Sequence, residues 1–478
     1  MKKWMIRALS ALLIAAFLPL SVLADEYDLS QGSVTVSTSK GADGSTQQNV
    51  THKDNTRPDS NPTITSNGNE TKNTITIDAG AGTTANVTIK DANISAPSGK
   101  AAIKTGGEGN VNLNVEGTNT VSSGSNYAGV EKANAGNLTI GSESGSGELT
   151  ANGGWHGAGI GGGHYRDAND ITITGGEVTA NGGDGAAGIG GGYYSYGKDI
   201  TISGGKVVAN GSGSAAGIGG GHYGNGSNIA ISGGEVTATG GDYGAGIGGG
   251  YYGNGSNITI SGGEVTATGG DCGAGIGGGY GRGGSNIAIS KDSQVEAVGG
   301  AVGGAGGSSD GCGAAIGNGG NNNRVNGSEI EPDTSGLYTT GKVERKHGDE
   351  TVLDTIVGNV EPPVEPEKSA SSKEEPDKRE PLYRVLNLDG SSLKHQAQKA
   401  DGVLALTAKA DGAILTGPLR ALGYLQNQGI EKIAFTDGTH SAELVLAELI
   451  AKGQPEEVYV LTLGAENTLT LNGETIDF

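Results

Sequence analysis

Apolar positions between residues 151 and 300 follow two rhythms at once. At short range they alternate with polar or small residues: Ile171-Thr172-Ile173, Ile200-Thr201-Ile202, Ile229-Ala230-Ile231, Ile258-Thr259-Ile260 and Ile287-Ala288-Ile289. After a short turn comes a second alternating run, Val178-Thr179-Ala180, Val207-Val208-Ala209, Val236-Thr237-Ala238 and Val265-Thr266-Ala267. A period of two is a β pattern, with Ile and Val facing inward and Thr outward. At long range the whole pattern returns every 29 residues, marked by Ala-Gly-Ile-Gly-Gly-Gly with its isoleucine at Ile160, Ile189, Ile218, Ile247 and Ile276. A fixed period of this size signals stacked supersecondary units, each burying its apolar face against its neighbours. Three short β segments per unit, joined by Gly turns, describe one coil of a parallel β-helix.

Weaker coils flank this array. Val87-Thr88-Ile89, Val111 to Val115 and Leu138-Thr139-Ile140 read as strands, and Tyr127-Ala128-Gly129-Val130 as a degenerate hexapeptide. A late copy, Gly313-Ala314-Ala315-Ile316-Gly317, follows a Gly-rich insertion near 299–309. The predicted architecture is all-β: a solenoid over 75–330, preceded by a cap region over 25–74 and closed by 331–360. A Pro/Glu/Lys-rich linker over 361–381 leads to a small α+β domain over 382–478, where glycine becomes sparse and leucine frequent. There Tyr383 to Leu388, Val403 to Thr407 and Val458 to Leu463 read as strands, and Ala442 to Ala451 as an amphipathic helix stopped by Gly453 and Pro455.

Composition narrows the function. Ninety-three glycines would suit a low-complexity chain, but apolar residues at fixed phases have no role in disorder. With three Phe and two Trp, the core must be thin layers of Ile, Val and Ala. Residues 1–24 carry Lys2, Lys3 and Arg7, then an apolar run ending Val22-Leu23-Ala24, the pattern of a cleaved secretory signal. Its removal takes the formal charge from −21 to −24. The expectation is an exported protein, secreted or held at a cell surface, that avoids nucleic acid and does not insert into membranes. Such a charge suits neutral glycans, cationic partners or calcium-bridged acidic polymers.

Because parallel coils stack at about 4.8 Å, each repeated phase becomes a ladder of side chains. The chemistry-bearing ladder follows each hexapeptide: His164-Tyr165, Tyr193-Tyr194, His222-Tyr223, Tyr251-Tyr252 and Tyr280. Aromatic faces stack on the C–H faces of sugars and hydroxyls bond their OH groups, so repeated rings suit a repeating polymer. The alternative is that the rings stack on each other and shield the coil edge. A second ladder, Asp170, Asp199, Asn228, Asn257 and Asn286, is expected to be structural, its amides bonding coil to coil. A third, Asp184, Asp242 and Asp271, offers candidate calcium ligands, although solvated turn carboxylates explain it as well and no cofactor is required. Cys272 and Cys312 each stand four residues before a hexapeptide isoleucine, hence at one phase of successive coils. A spacing near 5 Å fits disulfide geometry, so a Cys272–Cys312 bond is expected in an exported chain, with two free thiols as the alternative.

The hexapeptide and the run Asn-Ile-Thr-Ile-Ser-Gly-Gly-Glu-Val resemble exported gut-bacterial proteins carrying Ala-Gly-Ile-Gly-Gly-Gly arrays. They also resemble a non-catalytic carbohydrate-binding β-helix family related in fold to polysaccharide lyases, over residues 27–330. That resemblance implies a right-handed helix and a plant cell-wall polysaccharide ligand, including acidic pectin-like polymers, sometimes with calcium.

The reading is therefore a non-catalytic polysaccharide-binding β-helix, with an adhesive or structural surface rod presenting the C-terminal domain as the rival. The partner of that domain stays open. A lyase-like enzyme is the third reading. It needs a proton-abstracting base beside acidic ligands, and only Arg166, near Asp167 and Asp170, suggests one on a surface that otherwise repeats itself.

Overall fold

The fold is that of a computed structural model, described here for residues 25–301, 313–320, 326–346, 352–360 and 383–476, less 389, 390, 392, 401, 428, 429, 454–456, 466 and 473. Residues 1–24 and 361–381, expected from the sequence to be a secretory signal and a linker, and Cys312 lie outside the described residues. The chain divides into two units, 1–366 and 367–478.

The first unit is a parallel β-helix with three sheets of 10, 12 and 11 strands. Each repeat contributes one strand to each sheet, as in Ile160–Gly161, Ile171–Ile173 and Glu177–Asn181. Pairing keeps every phase aligned: Ile160 partners Ile189, which partners Ile218, then Ile247 and Ile276. The late copy joins in register, Ile276 opposite Ile316, and the degenerate one as well, Val130 opposite Ile160. These residues and their Ile and Val partners in the other sheets are fully buried in one continuous column. Alternation explains it: in Glu177–Asn181 only Val178 and Ala180 are buried, and the residues between them face outward.

Glycine is obligatory at the strand ends because the coils touch there. Gly219 sits at φ +132, and a Cβ on it would lie 2.0 Å from the carbonyl oxygen of Gly248 in the next coil. The hexapeptide is thus the signature of backbone-to-backbone packing.

Residues 25–74, expected as a cap, already carry coil strands. Val34–Lys40 pairs in parallel with Ile75–Ala79, and Glu26–Asp28 with Thr63–Thr65. The capping element is the antiparallel pair Thr46–His52 and Asn55–Pro58, which covers the outer edge of Val34–Lys40. At the other end Val352–Val357 pairs antiparallel with Lys342–Lys346. Both ends so replace a parallel edge that another chain could extend.

The second unit holds a five-stranded antiparallel sheet and a four-stranded sheet with one parallel pair, around a Leu-rich core containing Phe435 and Tyr459. Helix is scarce, and the expected helix over Ala442–Ala451 is corrected. Ser441–Val445 is a strand paired with Lys432–Thr436, and only Leu446–Ile450 is helical. The spacing of Ala442, Val445, Leu446 and Leu449 fits a helical period, but pairing with the neighbouring strand decides the first half. The other helix, Leu419–Asn427, was not expected from the sequence.

Candidate functional site

After the Ile-Gly strands at Ile160, Ile189, Ile218 and Ile247 the chain turns through Gly-Gly and two aromatic residues, and after Ile276 through Gly-Gly and Tyr280 alone. Backbone bonds tie each turn to the next: the N–H of Tyr165 donates to the Tyr193 carbonyl (3.1 Å), Tyr194 to His222 (3.0 Å), Tyr223 to Tyr251 (2.9 Å) and Tyr252 to Tyr280 (3.2 Å). The side chains consequently form two columns at coil spacing.

The inner column runs His156, Tyr193, His222, Tyr251 and Tyr280. Its rings stack with centroids 4.2, 5.0, 5.2 and 5.2 Å apart and planes within 28°. The outer column runs Tyr165, Tyr194, Tyr223 and Tyr252, at 5.7, 5.3 and 5.8 Å. The columns meet edge to face, Tyr193 against Tyr194 at 4.4 Å and 89°, and His222 against Tyr223 at 4.4 Å and 90°. Such perpendicular pairs match the positive edge of one ring to the negative face of the other.

Exposure separates the two. The outer tyrosines are 69, 45, 44 and 36% exposed, whereas Tyr280 is buried and Tyr193, His222 and Tyr251 are half-buried. Burial pushes the Tyr193 hydroxyl up to about 12 and raises that of Tyr251. The same desolvation lowers the pKa of His156 and of His222. The inner column is a neutral floor and the outer column a ridge.

The outer tyrosines adopt the left-handed conformation, φ +57, +61, +59 and +53. That region costs an L side chain roughly 1–2 kcal/mol and ordinarily selects Gly, Asn or Asp. Gly281 takes the same phase in the following coil, at φ +67. Four consecutive bulky side chains therefore hold an unfavourable, exposed backbone position, which makes the column the candidate site.

One predicted member is placed differently. His164 leaves the inner column; its ring stacks on Tyr165 at 3.9 Å and meets Tyr193 at 5.7 Å only edge-on. His156, from the preceding loop at φ +70, takes its place. In the next coil its phase is Gly185, where a Cβ would lie 2.3 Å from the Tyr193 ring. Tyr243 occupies this phase again and touches Tyr251 and Tyr280. Trp155, Tyr196 and Tyr243 add further exposed rings. The sequence reading missed His156 and Tyr243 because it followed a single phase of the repeat. At the far end Arg282 closes the outer column, its guanidinium 5.8 Å from the Tyr252 ring centre and its Nε donating to the Tyr252 carbonyl (3.1 Å).

The polar ladders divide. Asn228 donates to Asp199 (2.8 Å), Asn257 to Asn228 (3.0 Å) and Asn286 to Asn257 (2.9 Å). All lie at φ between +51 and +54, along with Asp170 at +55, which is why Asn and Asp stand there. A second amide ladder, absent from the sequence reading, runs Asn152, Asn181, Asn210. The candidate calcium carboxylates do not converge. Asp184 accepts from Trp155 Nε1 (3.2 Å), Gly213 interrupts the ladder, and among the described residues no three His, Cys, Asp or Glu groups gather. Asp271 is raised by burial and by Asp242. Cys272 is buried. Arg166 engages neither Asp167 nor Asp170 in an ion pair; its Nε lies 3.7 Å from the buried Glu131, while Asp167 accepts from the Tyr196 backbone (2.8 Å).

Five segments, 144–164, 171–193, 200–222, 229–251 and 258–280, match a family model described as a beta helix repeat. No curated protein and no solved structure matches the chain. Each matched segment ends at the phase of His164, Tyr193, His222, Tyr251 or Tyr280, one residue before the position that carries the exposed tyrosines in the first four copies.

Proposed function

We propose that the solenoid is a non-catalytic polysaccharide-binding rod, its glycan lying along the outer tyrosine column with the inner rings as support. The supporting observation is the left-handed, exposed tyrosine at one phase of four successive coils. A solenoid edge that only needed shielding would be served by the half-buried inner stack. The outer rings present faces and hydroxyls along about 15 Å, a length that suits a few sugar units of an extended chain.

Repetition argues for binding over catalysis. A glycan sliding by one coil meets an equivalent ring, whereas a catalytic centre needs one unique constellation. Export and display at a cell surface belong to the same reading.

The test is binding of the protein to a panel of neutral and acidic polysaccharides, with and without chelator, alongside Tyr194→Ala/Tyr223→Ala. Released sugar is assayed in the same samples. Retention without product, lost in the double variant, supports the proposal. Product release would replace it with an enzyme, and no retention of any polysaccharide would leave an adhesive or structural rod.

A further inference from the structure

The aromatic strip ends differently from the way it repeats. The coil before it carries Ala128-Gly129-Val130-Glu131-Lys132-Ala133 where later coils carry the hexapeptide, and no ring follows at the outer phase. Glu131 pairs with Gly161, so a carboxylate occupies a phase that is glycine in the next six copies: Gly161, Gly190, Gly219, Gly248, Gly277 and Gly317.

This carboxyl group is 1% exposed. Its Oε2 accepts from the Ala128 N–H (3.0 Å), while Oε1 has no hydrogen-bond partner and lies 3.7 Å from Arg166 Nε. It sits beneath Gly163, where a Cβ would meet Glu131 Oε2 at 3.0 Å. Its neighbour Arg166 lines an open cleft of about 370 Å³, together with Ser98, Ser125, Asn126, Tyr127 and His164. His164 also brings a buried Nε2 without a partner.

The chemistry of this lining is unlike that of the strip. Hydroxyls, an amide and an imidazole surround a guanidinium whose Nε edge faces a buried carboxylate. Nη1 and Nη2 of Arg166 make no side-chain hydrogen bond among the described residues, and the side chain is mostly exposed. A guanidinium held from behind with its fork unoccupied presents paired donors to an anion. Tyr165, the first ring of the outer column, adjoins Arg166 in sequence and stacks on His164 of the cleft.

Resting on the polysaccharide reading of the strip, we infer that this cleft receives a sugar unit bearing an anionic group, carboxylate or sulfate, where the glycan runs off the column past Tyr165. Arg166 takes the anion, Glu131 positions Arg166, and the hydroxyls of Ser98, Ser125 and Tyr127 take the ring OH groups.

The test uses Trp155, whose carbonyl accepts from the Asn126 backbone of the cleft (2.6 Å), as a fluorescence reporter. Trp4→Phe makes it the sole tryptophan in the full chain. D-glucuronate, D-glucose 6-sulfate and D-glucose are titrated in parallel, with calorimetry as a second readout. One or both anionic sugars should bind about tenfold tighter than glucose. Binding of glucuronate alone assigns a carboxylate, and of the 6-sulfate alone a sulfate. Arg166→Met should erase the preference, and Arg166→Lys should weaken it by removing the fork. Should Arg166→Met not fold, Ser125→Phe fills the cleft, leaves Trp155 the sole tryptophan and should abolish binding. Equal binding of all three sugars, no binding of any, or a preference that survives Arg166→Met overturns the inference. Tyr194→Ala/Tyr223→Ala should leave these titrations unchanged while releasing polysaccharide, so a failure of the cleft is distinguishable from a failure of the strip.

Discussion

Tyr193 and His222 lie face to face in successive coils, ring centres 5.0 Å apart and planes within 1° of parallel, although 29 residues separate them. The register of the Ile189–Ile218 pair sets that geometry, and the rings inherit the coil spacing. The inner rings are packed and the outer ones displayed, so the proposed function assigns stability and binding to different rings. Replacing Tyr252 by Gly separates the two roles, because Gly281 already holds that phase. Relief of the left-handed tyrosine, roughly 1–2 kcal/mol, offsets much of the loss of its edge-to-face pairs with Tyr251 and Tyr280, about 0.5–1.5 kcal/mol each. Tyr252→Gly should melt within a few degrees of the parent and bind polysaccharide severalfold more weakly. A large fall in melting temperature with retained binding would show the outer ring to be structural.

The solenoid was legible in the sequence because each coil repeats the same local rule. Ile at phase 160, alternation at 171–173 and glycine at contact points each mean one thing wherever they recur. His164 was misassigned for the converse reason. Its phase matches Tyr193, but the loop ahead of it carries Trp155-His156 where the next coil has Asp184-Gly185, and His156 reaches the column first. Glu131 was invisible as a site residue because its coil departs from the consensus, and its role depends on an Arg166 35 positions away. The C-terminal unit has no repeat to average over, so Ala442–Ala451 was judged on one ambiguous window.

Glycine at the strand ends should tolerate nothing larger. In Gly219→Ala the added methyl meets a backbone oxygen of the next coil, which cannot retreat without breaking the ladder. The expected loss exceeds about 3 kcal/mol, outside the range of ordinary substitutions. Gly68→Ala is the control: φ is +74, but nothing lies within 4 Å, so the cost should be about 1 kcal/mol. Urea midpoints of the two variants measure the difference, and equal midpoints would contradict close coil contact at Gly219.

His222 makes the inner column sensitive to acid. Burial lowers its pKa below the ordinary value of 6.5, so the unfolded chain binds its proton at higher pH than the folded one. Its contribution is present above about pH 6.5 and is lost as the pH falls from there through the lowered folded value. His156 shifts the same way and adds to the effect. The melting temperature should fall between about pH 7 and pH 5, and His222→Phe should fall less over the same interval. A parallel decline in both proteins would assign the acid sensitivity elsewhere.

Cys272 is buried at φ +63, in the phase of Tyr243, and Cys312 should join it in a disulfide if the chain matures in an oxidising compartment. Alkylation of the denatured, unreduced protein should then leave its mass unchanged, and reduction should admit two labels. Two labels without reductant would establish free thiols.

Arg345 should matter more than its place near the end of the solenoid suggests. It stands opposite Ala297, at the phase that buries Ala267, Ala238 and Ala209 in the coils before it. A guanidinium at the end of an apolar column persists because Asp354, Glu331 and Glu329 surround it, Asp354 from the antiparallel strand that closes the sheet. The Asp354 bond is the largest cause raising the Arg345 pKa, and Arg345 in turn lowers that of Asp354. Arg345→Met keeps the volume but leaves three carboxylates without their cation. Those carboxylates retain partial solvent access, so the loss should be about 1–3 kcal/mol, less than for a fully buried pair. With the pairing to Val352–Val357 weakened, the parallel edge of Lys342–Lys346 becomes available, and end-to-end association should follow. Sedimentation of the variant against the parent reads both effects. A monomer of unchanged stability would show that the closing strand is held by its backbone pairing alone.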